Sequence, residues 1–122
     1  MKRDMDLVRR ILLQTAANPP GQTLTKLPDV TPEEFGLHVL WLHEAGLVRA
    51  MVIDQLTGAD SQVFRLTWAG CDFVDAIRDD TLWKKAKDNV LKPSMSFTFD
   101  VLKDWLKTEI TQGLPTIRGL SQ

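Results

Sequence analysis

Apolar residues recur along this chain with two different periods, and the change of period divides it into predicted helices and strands. Five stretches show the spacing of three to four residues that is typical of an amphipathic helix. They span 4–17, 32–45, 69–79, 82–90 and 97–112. Two strand-like runs, 47–53 and 62–68, flank a polar segment and predict a β-hairpin, and alternation at 23–27 predicts a short additional strand.

The second predicted helix has the clearest boundaries. Thr31 is suited to cap its N-terminus, Pro32 to occupy its first position and Glu34 to complete a capping box. Gly46 supplies the left-handed residue that commonly ends a helix, and Leu47 stands where an apolar contact usually accompanies that ending. We therefore expect this helix to begin at Pro32 and to end just before Gly46.

The register of the predicted hairpin decides which of its side chains are buried, because a slip of one residue exchanges the two faces. We take the register that places Arg49 opposite Arg65. Strand alternation then gives the core face five residues, which are Val48, Ala50, Phe64, Leu66 and Trp68. The outer face carries the two arginines and three apolar residues, which are Met51, Ile53 and Val63.

The order of the predicted elements is helix, strand, capped helix, hairpin and further helices. This is the order of a winged-helix domain, so we predict an α+β, mostly helical fold. The winged-helix core spans 1–80 with the hairpin as its wing, and a C-terminal helical extension over 81–122 packs on the same single domain. Residues 21–31 have room for a strand and a loop but hardly for a helix. The first helix of the usual helix-turn-helix is thus predicted to be missing or shortened.

Several segments are similar to those of known proteins. The sequence His-Val-Leu-Trp-Leu-His-Glu-Ala-Gly-Leu-Val at 38–48 resembles the part of winged-helix repressors that leads from the third helix into the wing. Other segments resemble DUF2513, a family of short bacterial and phage proteins of unknown function. These segments are residues 1–9, the sequence Leu-Thr-Trp-Ala-Gly at 66–70, and residues 72–81 together with Trp83. The resemblance covers most of the chain. It implies an association with mobile elements or prophages and brings no known activity.

The second predicted helix would be the recognition helix of a DNA-binding winged helix. Its inward apolar arc consists of Phe35, Leu37, His38, Val39, Trp41, Leu42 and Ala45. The residues that we expect to remain exposed are Glu33, Gly36, Leu40, His43 and Glu44. Because contacts to phosphate need cations, a face without lysine or arginine is not suited to read DNA. Leu40 and His43 are instead candidates for a protein contact, together with Met51 and Ile53 on the hairpin.

The charge of the chain is unevenly distributed. Fifteen lysines and arginines against sixteen carboxylates give a net charge of −1, which argues against a broadly basic nucleic-acid binder. Residues 1–46 carry −1, residues 47–80 carry −3 and residues 81–122 carry +3. The candidates for contacts to DNA or another anion are Arg49, Arg65, Lys84, Lys85, Lys87 and Lys92. A solvated helix face is the better explanation of the lysines. The further alternative is a dimer in which the basic extension of one chain packs near the acidic core of another.

The sequence predicts no catalytic residue, cofactor or metal site. His38 and His43 lie about 140° apart on a helix and have no further ligand at metal-binding spacing. We expect His38 to be a hydrogen-bonded core residue and Cys71 to be a buried structural thiol. Asp72, Asp75 and Asp79 share a helix face, and solvent exposure explains them without a cation.

Length and composition define the general class of protein. With 122 residues, 43% of them hydrophobic, the chain can bury a sufficient core without disulfides or a structural metal. No stretch approaches eighteen uncharged apolar residues, so no membrane-spanning helix is predicted. The single cysteine fits a reducing compartment, and we expect a cytoplasmic protein.

The preferred interpretation is a non-catalytic winged-helix protein that acts through protein contact. Its partner would be a second copy, or a phage or host protein for which it is an accessory or regulatory factor. The alternative is a DNA-binding transcriptional regulator that uses the wing arginines and the C-terminal lysines. No motif supports a small enzyme.

Overall fold

The computed structural model describes residues 2–91 and 98–113. Those residues form five helices and a two-stranded antiparallel sheet, an α+β and mostly helical arrangement as the sequence predicts. In chain order the elements are α1 (Met5–Ala17), α2 (Pro32–Glu44), β1 (Val48–Val52), β2 (Ser61–Leu66), α3 (Trp68–Ile77), α4 (Asp80–Asn89) and α5 (Phe99–Gly113). They group into two compact units, Met1–Val74 and Asp75–Gln122. Within the described ranges, no helix is both long enough and apolar enough to cross a membrane.

Helix α1 begins at a cap that the amino-acid sequence supplies. The carboxylate of Asp4 accepts hydrogen bonds from the backbone N–H groups of Asp6 and Leu7, at 3.0 and 3.2 Å. Its inward face is the one that the apolar spacing predicts, and the residues buried there include Val8, Ile11, Leu12 and Thr15. The helix ends at Ala17, shortly before the two prolines that cannot continue it.

Both ends of α2 have the predicted geometry. The side-chain oxygen of Thr31 accepts a hydrogen bond from the backbone N–H of Glu34 at 3.2 Å. At the other end Gly46 is left-handed, with φ of +77°. The N–H groups of Gly46 and Leu47 donate to carbonyls of the last turn, both at 3.0 Å, which is the Schellman arrangement.

The hairpin contains a β-bulge that the sequence analysis does not predict. Arg49 lies opposite Arg65 as expected, but Ala50 then lies opposite Val63, so that Phe64 is an additional residue in β2. Because an inserted residue changes the alternation of the strand, Val63 is buried and Phe64 is exposed. The prediction that Phe64 faces the core and Val63 faces outward is therefore wrong.

The prediction that Trp68 lies on the core face of the hairpin is also wrong. It is 85% exposed, although strand alternation places it on the core face. Strand β2 ends at Leu66, and the side chain of Thr67 accepts a hydrogen bond from the N–H of Gly70 at 3.0 Å, which caps α3. Trp68 is therefore the first residue of a helix, and the alternation of the strand does not extend to it.

The predicted short strand before α2 consists of a single bridge. Leu24 and Val63 exchange two backbone hydrogen bonds of 3.0 and 2.9 Å, which places Leu24 on the side of β2 away from β1. Residues 25–31 contain a turn and no helix, so the prediction that residues 21–31 have hardly any room for a helix is confirmed. The chain enters α2 directly from this turn.

In the second unit α4 and α5 pack against each other. The side chain of Asp79 caps α4 by accepting from the N–H of Leu82 at 2.8 Å. The predicted break between the helices over 69–79 and 82–90 is confirmed, and the second of these helices begins at Asp80. The buried residues of this unit include Ile77, Trp83, Ala86, Leu102 and Leu106. The predicted start of the last helix at residue 97, and the tail from residue 114, lie outside the described residues.

The hairpin loop packs against the N-terminal half of α2 through two glycines. Gly58 has φ of +73°, and a Cβ atom there would lie 1.8 Å from the carbonyl oxygen of Pro32. A Cβ atom on Gly36 would lie 2.6 Å from the Cα atom of Gly58. Gly36 is therefore buried under the loop, and its predicted exposure is wrong.

Contact with the loop rotates the buried side of α2 toward Gly36. The residues buried on α2 are Phe35, Gly36, His38, Val39 and Leu42. Leu37 and Trp41, predicted to face inward, are half-buried, and Ala45 is exposed. The predicted arc is wrong at these positions because it was derived from the spacing of apolar side chains. Gly36 has no side chain, so its burial under the loop backbone could not be predicted from that spacing.

Replacing Gly58 by alanine is expected to lower the free energy of unfolding by about 3 kcal/mol, since left-handed strain and a backbone clash act together. Gly21→Ala is the matched control, because Gly21 also has positive φ, +87°, but nothing lies within 4 Å of its Cβ position. Strain alone should reduce stability by about 1 kcal/mol there. Urea unfolding, followed by tryptophan fluorescence, measures the free energy of unfolding of both variants. Equal losses of stability would contradict the close packing of the hairpin loop against α2.

Candidate functional site

Five side chains form what we call the hairpin outer face. They are Arg49, Met51, Ile53, Phe64 and Arg65. Arg49 and Met51 alternate with the inward residues of β1, and Ile53 follows directly after the end of that strand. Met51 is 50% exposed, Ile53 is 64% exposed and Phe64 is 43% exposed. Two predicted contact residues, Met51 and Ile53, therefore lie together on one exposed apolar surface.

Phe64 belongs to this surface although sequence reasoning placed it in the core. It reaches the outside because it is the additional residue of the bulge. The segment Gln62–Arg65 contains no glycine or proline that would have marked the irregularity. Trp68, the other exposed aromatic residue that was missed, had a signal, since Thr67 is a suitable helix cap directly before it.

The two arginines of the hairpin outer face lie directly opposite each other across the strands. A guanidinium N–H of Arg65 donates to the carbonyl of Leu66 at 3.0 Å. Within residues 2–91 and 98–113, no carboxylate lies within ion-pair distance of either guanidinium group. Like charges directly opposite in an antiparallel pair are destabilising, so the fold holds this pair at an energetic disadvantage.

The loop beyond the outer face has a defined conformation. The Asp54 carboxylate accepts from the N–H groups of Leu56 and Thr57 at 3.0 and 3.2 Å. These bonds, the one from the Thr57 backbone foremost, hold the pKa of Asp54 below its usual value. Ser61 closes the loop by donating to the carbonyl of Gly58 at 2.7 Å. Leu56 is exposed on this ordered loop and adds another apolar side chain to the same hairpin.

Leu40 and His43, the other predicted protein contacts, lie on α2 and not on the hairpin outer face. Both are half-buried. The Nδ1 atom of His43 accepts a hydrogen bond from the backbone N–H of Ala50 at 3.3 Å, so this side chain links α2 to β1. The exposed polar residues of α2 include Glu33, Glu34 and Glu44.

The predicted anion contacts divide between the two units. Arg49 and Arg65 belong to the first unit and are exposed. Three of the lysines are exposed on α4 in the second unit, and they are Lys84, Lys85 and Lys87. Lys92 lies outside the described residues. The structure therefore does not place the six candidates together in one cluster.

His38 is a core histidine, as the sequence predicts. Its Nε2 atom accepts from the backbone N–H of Asp4 at 2.9 Å, and its Nδ1 atom donates to the carbonyl of Glu34 at 2.7 Å. The ring also packs edge-on against Trp41, with centroids 5.1 Å apart. The bond at Nε2 thus holds the start of α1 against α2, and the bond at Nδ1 fixes the ring to its own helix.

Cys71 is exposed, so the prediction of a buried thiol is wrong. It lies in the first turn of α3, where the chain faces solvent beside Trp68. In the part of the chain that the structure describes, no three His, Cys, Asp or Glu side chains are grouped so that they would hold a metal ion.

Removing the repulsion between the two arginines should stabilise the protein. We expect Arg49→Glu to raise the free energy of unfolding by about 0.5 kcal/mol, because it creates an opposite-charge pair with Arg65. Lys26→Glu makes the same change of charge at another exposed position and is the control. Urea unfolding at low and high salt measures the difference, which should shrink with salt. An equal gain in both variants would show an effect of net charge alone.

Comparisons with known proteins identify the family. Residues 2–96 match the model of a family described as hypothetical protein, DUF2513. An uncharacterized protein of Haemophilus influenzae is 32% identical over 118 residues, which cover 93% of this chain and 99% of that protein. No solved structure matches the chain. The family resemblance expected from the short motifs is confirmed, and the chain belongs to the DUF2513 family.

Proposed function

We propose that this protein is a non-catalytic winged-helix module that acts through contact with another protein. The observation that carries the proposal is the hairpin outer face, where Met51 and Phe64 are exposed on two paired strands and Ile53 is exposed directly after the first of them. A group of exposed apolar side chains beside charged ones is typical of a protein-interaction surface. The partner is a second copy, or a phage or host protein that this chain assists or regulates.

The element order of the first unit supports the winged-helix part of the proposal. Helix α1, the bridge at Leu24, helix α2 and the hairpin follow one another along the chain. The strand segments lie side by side in the order Leu24, β2, β1. The hairpin occupies the place of the wing, and a turn occupies the place of the helix that usually precedes the recognition helix.

Features of α2 support a protein partner over DNA. A recognition helix enters the major groove with its N-terminal residues toward the bases. In this chain the hairpin loop packs against that end of α2, with Gly58 directly against the backbone of Pro32. The exposed side chains there include Glu33 and Glu34, which repel phosphate. This helix therefore serves better as a scaffold for the hairpin than as a reader of DNA.

Cys71 supports a location in the cytoplasm, which is part of the proposal. Its thiol is exposed and forms no disulfide. Free exposed thiols are usual in reducing compartments. The phage or prophage association rests on the resemblance to DUF2513 and is proposed with it.

A DNA-binding regulator is the second candidate function. It is favoured by the exposed Arg49 and Arg65 of the hairpin and by the lysines exposed on α4. The first unit would then contact DNA through its wing and not through α2. Such a protein would bind duplex DNA with an affinity that falls steeply as salt rises.

Affinity capture with and without nuclease tests the preferred function. We expect the tagged wild-type protein to retain a partner protein, or a second copy of itself, after nuclease treatment of the host lysate. Met51→Ser with Ile53→Ser should abolish retention, because it removes the exposed apolar area. Val101→Ser is the matched control, since Val101 is an exposed aliphatic residue on α5, and it should retain the partner.

Fluorescence anisotropy with a short labelled DNA duplex gives the opposing outcome. Tight binding that weakens by about 10³-fold or more between 50 and 200 mM salt would contradict the preferred function. The second candidate predicts that this binding is lost when Lys84, Lys85 and Lys87 are all replaced by glutamate. The preferred function predicts no salt-sensitive binding stronger than about 10⁻⁶ M, the range of non-specific contacts.

A further inference from the structure

The arginine pair of the hairpin outer face specifies the charge of what binds there. Arg49 and Arg65 lie opposite each other, and no carboxylate among the described residues neutralises them. Two like charges held side by side attract an acidic group more strongly than either would alone. Arginine also recognises carboxylates through paired hydrogen bonds, which a partner carboxylate can accept from these two side chains.

Apolar side chains next to the pair specify the rest of the partner. Along β1, Arg49 is followed on the same face by Met51 and then by Ile53, toward the loop. On β2, the exposed Phe64 directly precedes Arg65. A segment that fits this face therefore carries acidic groups at the end of the hairpin where the strands meet α2 and α3, and apolar side chains toward the loop.

Of the partners proposed above, a second copy of the chain is the poorer fit to this face. In a two-fold symmetric dimer, a patch at the centre of the interface meets the identical patch of the other subunit. Arg49 and Arg65 would then meet the same two arginines, and four guanidinium groups would lie together without a carboxylate. The charge of the face thus favours a different protein.

A long nucleic acid is also a poor occupant. Asp54 and Asp60 lie at the loop end of the same hairpin, and a polyanion extending along the strands would meet them. Single-stranded nucleic acids need aromatic side chains on which successive bases stack. The hairpin outer face has one aromatic residue, Phe64, beside the aliphatic Met51 and Ile53. Apolar area of this kind matches a protein side chain better than a base.

We propose that the hairpin outer face binds a segment of another protein in which carboxylates neighbour aliphatic or aromatic side chains. This inference rests on the proposed function and adds the chemistry of the partner. The carboxylates of the segment pair with Arg49 and Arg65. Its apolar side chains cover Met51, Ile53 and Phe64. Binding removes the repulsion within the arginine pair, so the partner stabilises the hairpin that holds it.

Selection from a phage-displayed library of short random peptides on the intact protein tests this inference. We expect enriched peptides to combine aspartate or glutamate with apolar residues. Synthetic copies should bind the wild type and lose at least about tenfold in affinity, or about 1.4 kcal/mol, against Arg49→Glu with Arg65→Glu. Met51→Ser with Ile53→Ser should also weaken them.

Lys26→Glu with Lys84→Glu is the matched control, because it makes the same change of net charge at exposed positions outside the hairpin. Peptide affinity should change less than about twofold in this variant, a difference of under 0.5 kcal/mol. Arg49→Gln with Arg65→Gln removes the charge without reversing it and should give an intermediate loss. Circular dichroism confirms that each variant is folded before its affinity is compared.

The remaining outcomes separate the two proposals. Peptides that are neutral or basic, or that bind the arginine variants normally, overturn the acidic partner and leave a protein-contact function in place. The absence of any enriched peptide counts against the face as a peptide site. A dimer in sedimentation experiments that dissociates on Arg49→Glu with Arg65→Glu would assign the face to a second copy. Duplex DNA that competes with the peptides and depends on both arginines overturns both proposals.

Discussion

The insertion of Phe64 into β2 is the constraint on which both faces of the hairpin depend. Side chains along a strand alternate, so one extra residue exchanges the faces beyond it. The bulge turns Val63 inward, where its backbone pairs with Leu24, and leaves Phe64 outside next to Arg65. The core of the first unit and its candidate interaction surface are thus two consequences of one local irregularity.

The same bulge explains which parts of the site could be predicted from sequence. Met51 follows the uninterrupted alternation from Arg49 along β1 and Ile53 comes directly after that strand, and the exposure of both was predicted. Phe64 was not, because a bulge arises from how two strands fit together and need not leave a mark in either one. The boundaries of α2 were predictable, because Thr31 caps that helix and Gly46 ends it. The buried side of α2 was not, because it depends on the loop that packs against Gly36.

The packing of the hairpin loop against α2 is also the reason why protein contact is preferred over DNA binding as the proposed function. The hairpin loop packs against the start of α2 and covers the end of that helix that would have to enter a groove in DNA, and the same contact fixes the hairpin to the first unit. Asp54 and Ser61 order the loop from within, and Gly58 allows its close approach to Pro32. The hairpin is therefore presented as a rigid surface, which reduces the entropy lost when a partner binds.

His43 has a consequence for how the hairpin avoids self-association. β1 is the outer strand of the sheet, and the unpaired backbone donors of such a strand invite other chains to extend the sheet. The Nδ1 atom of His43 takes up the N–H of Ala50, in the middle of β1. One of the backbone donors that another chain would need is therefore already occupied by a side chain of the same unit. His43 thus favours association through the side chains of the hairpin over association through the backbone of β1.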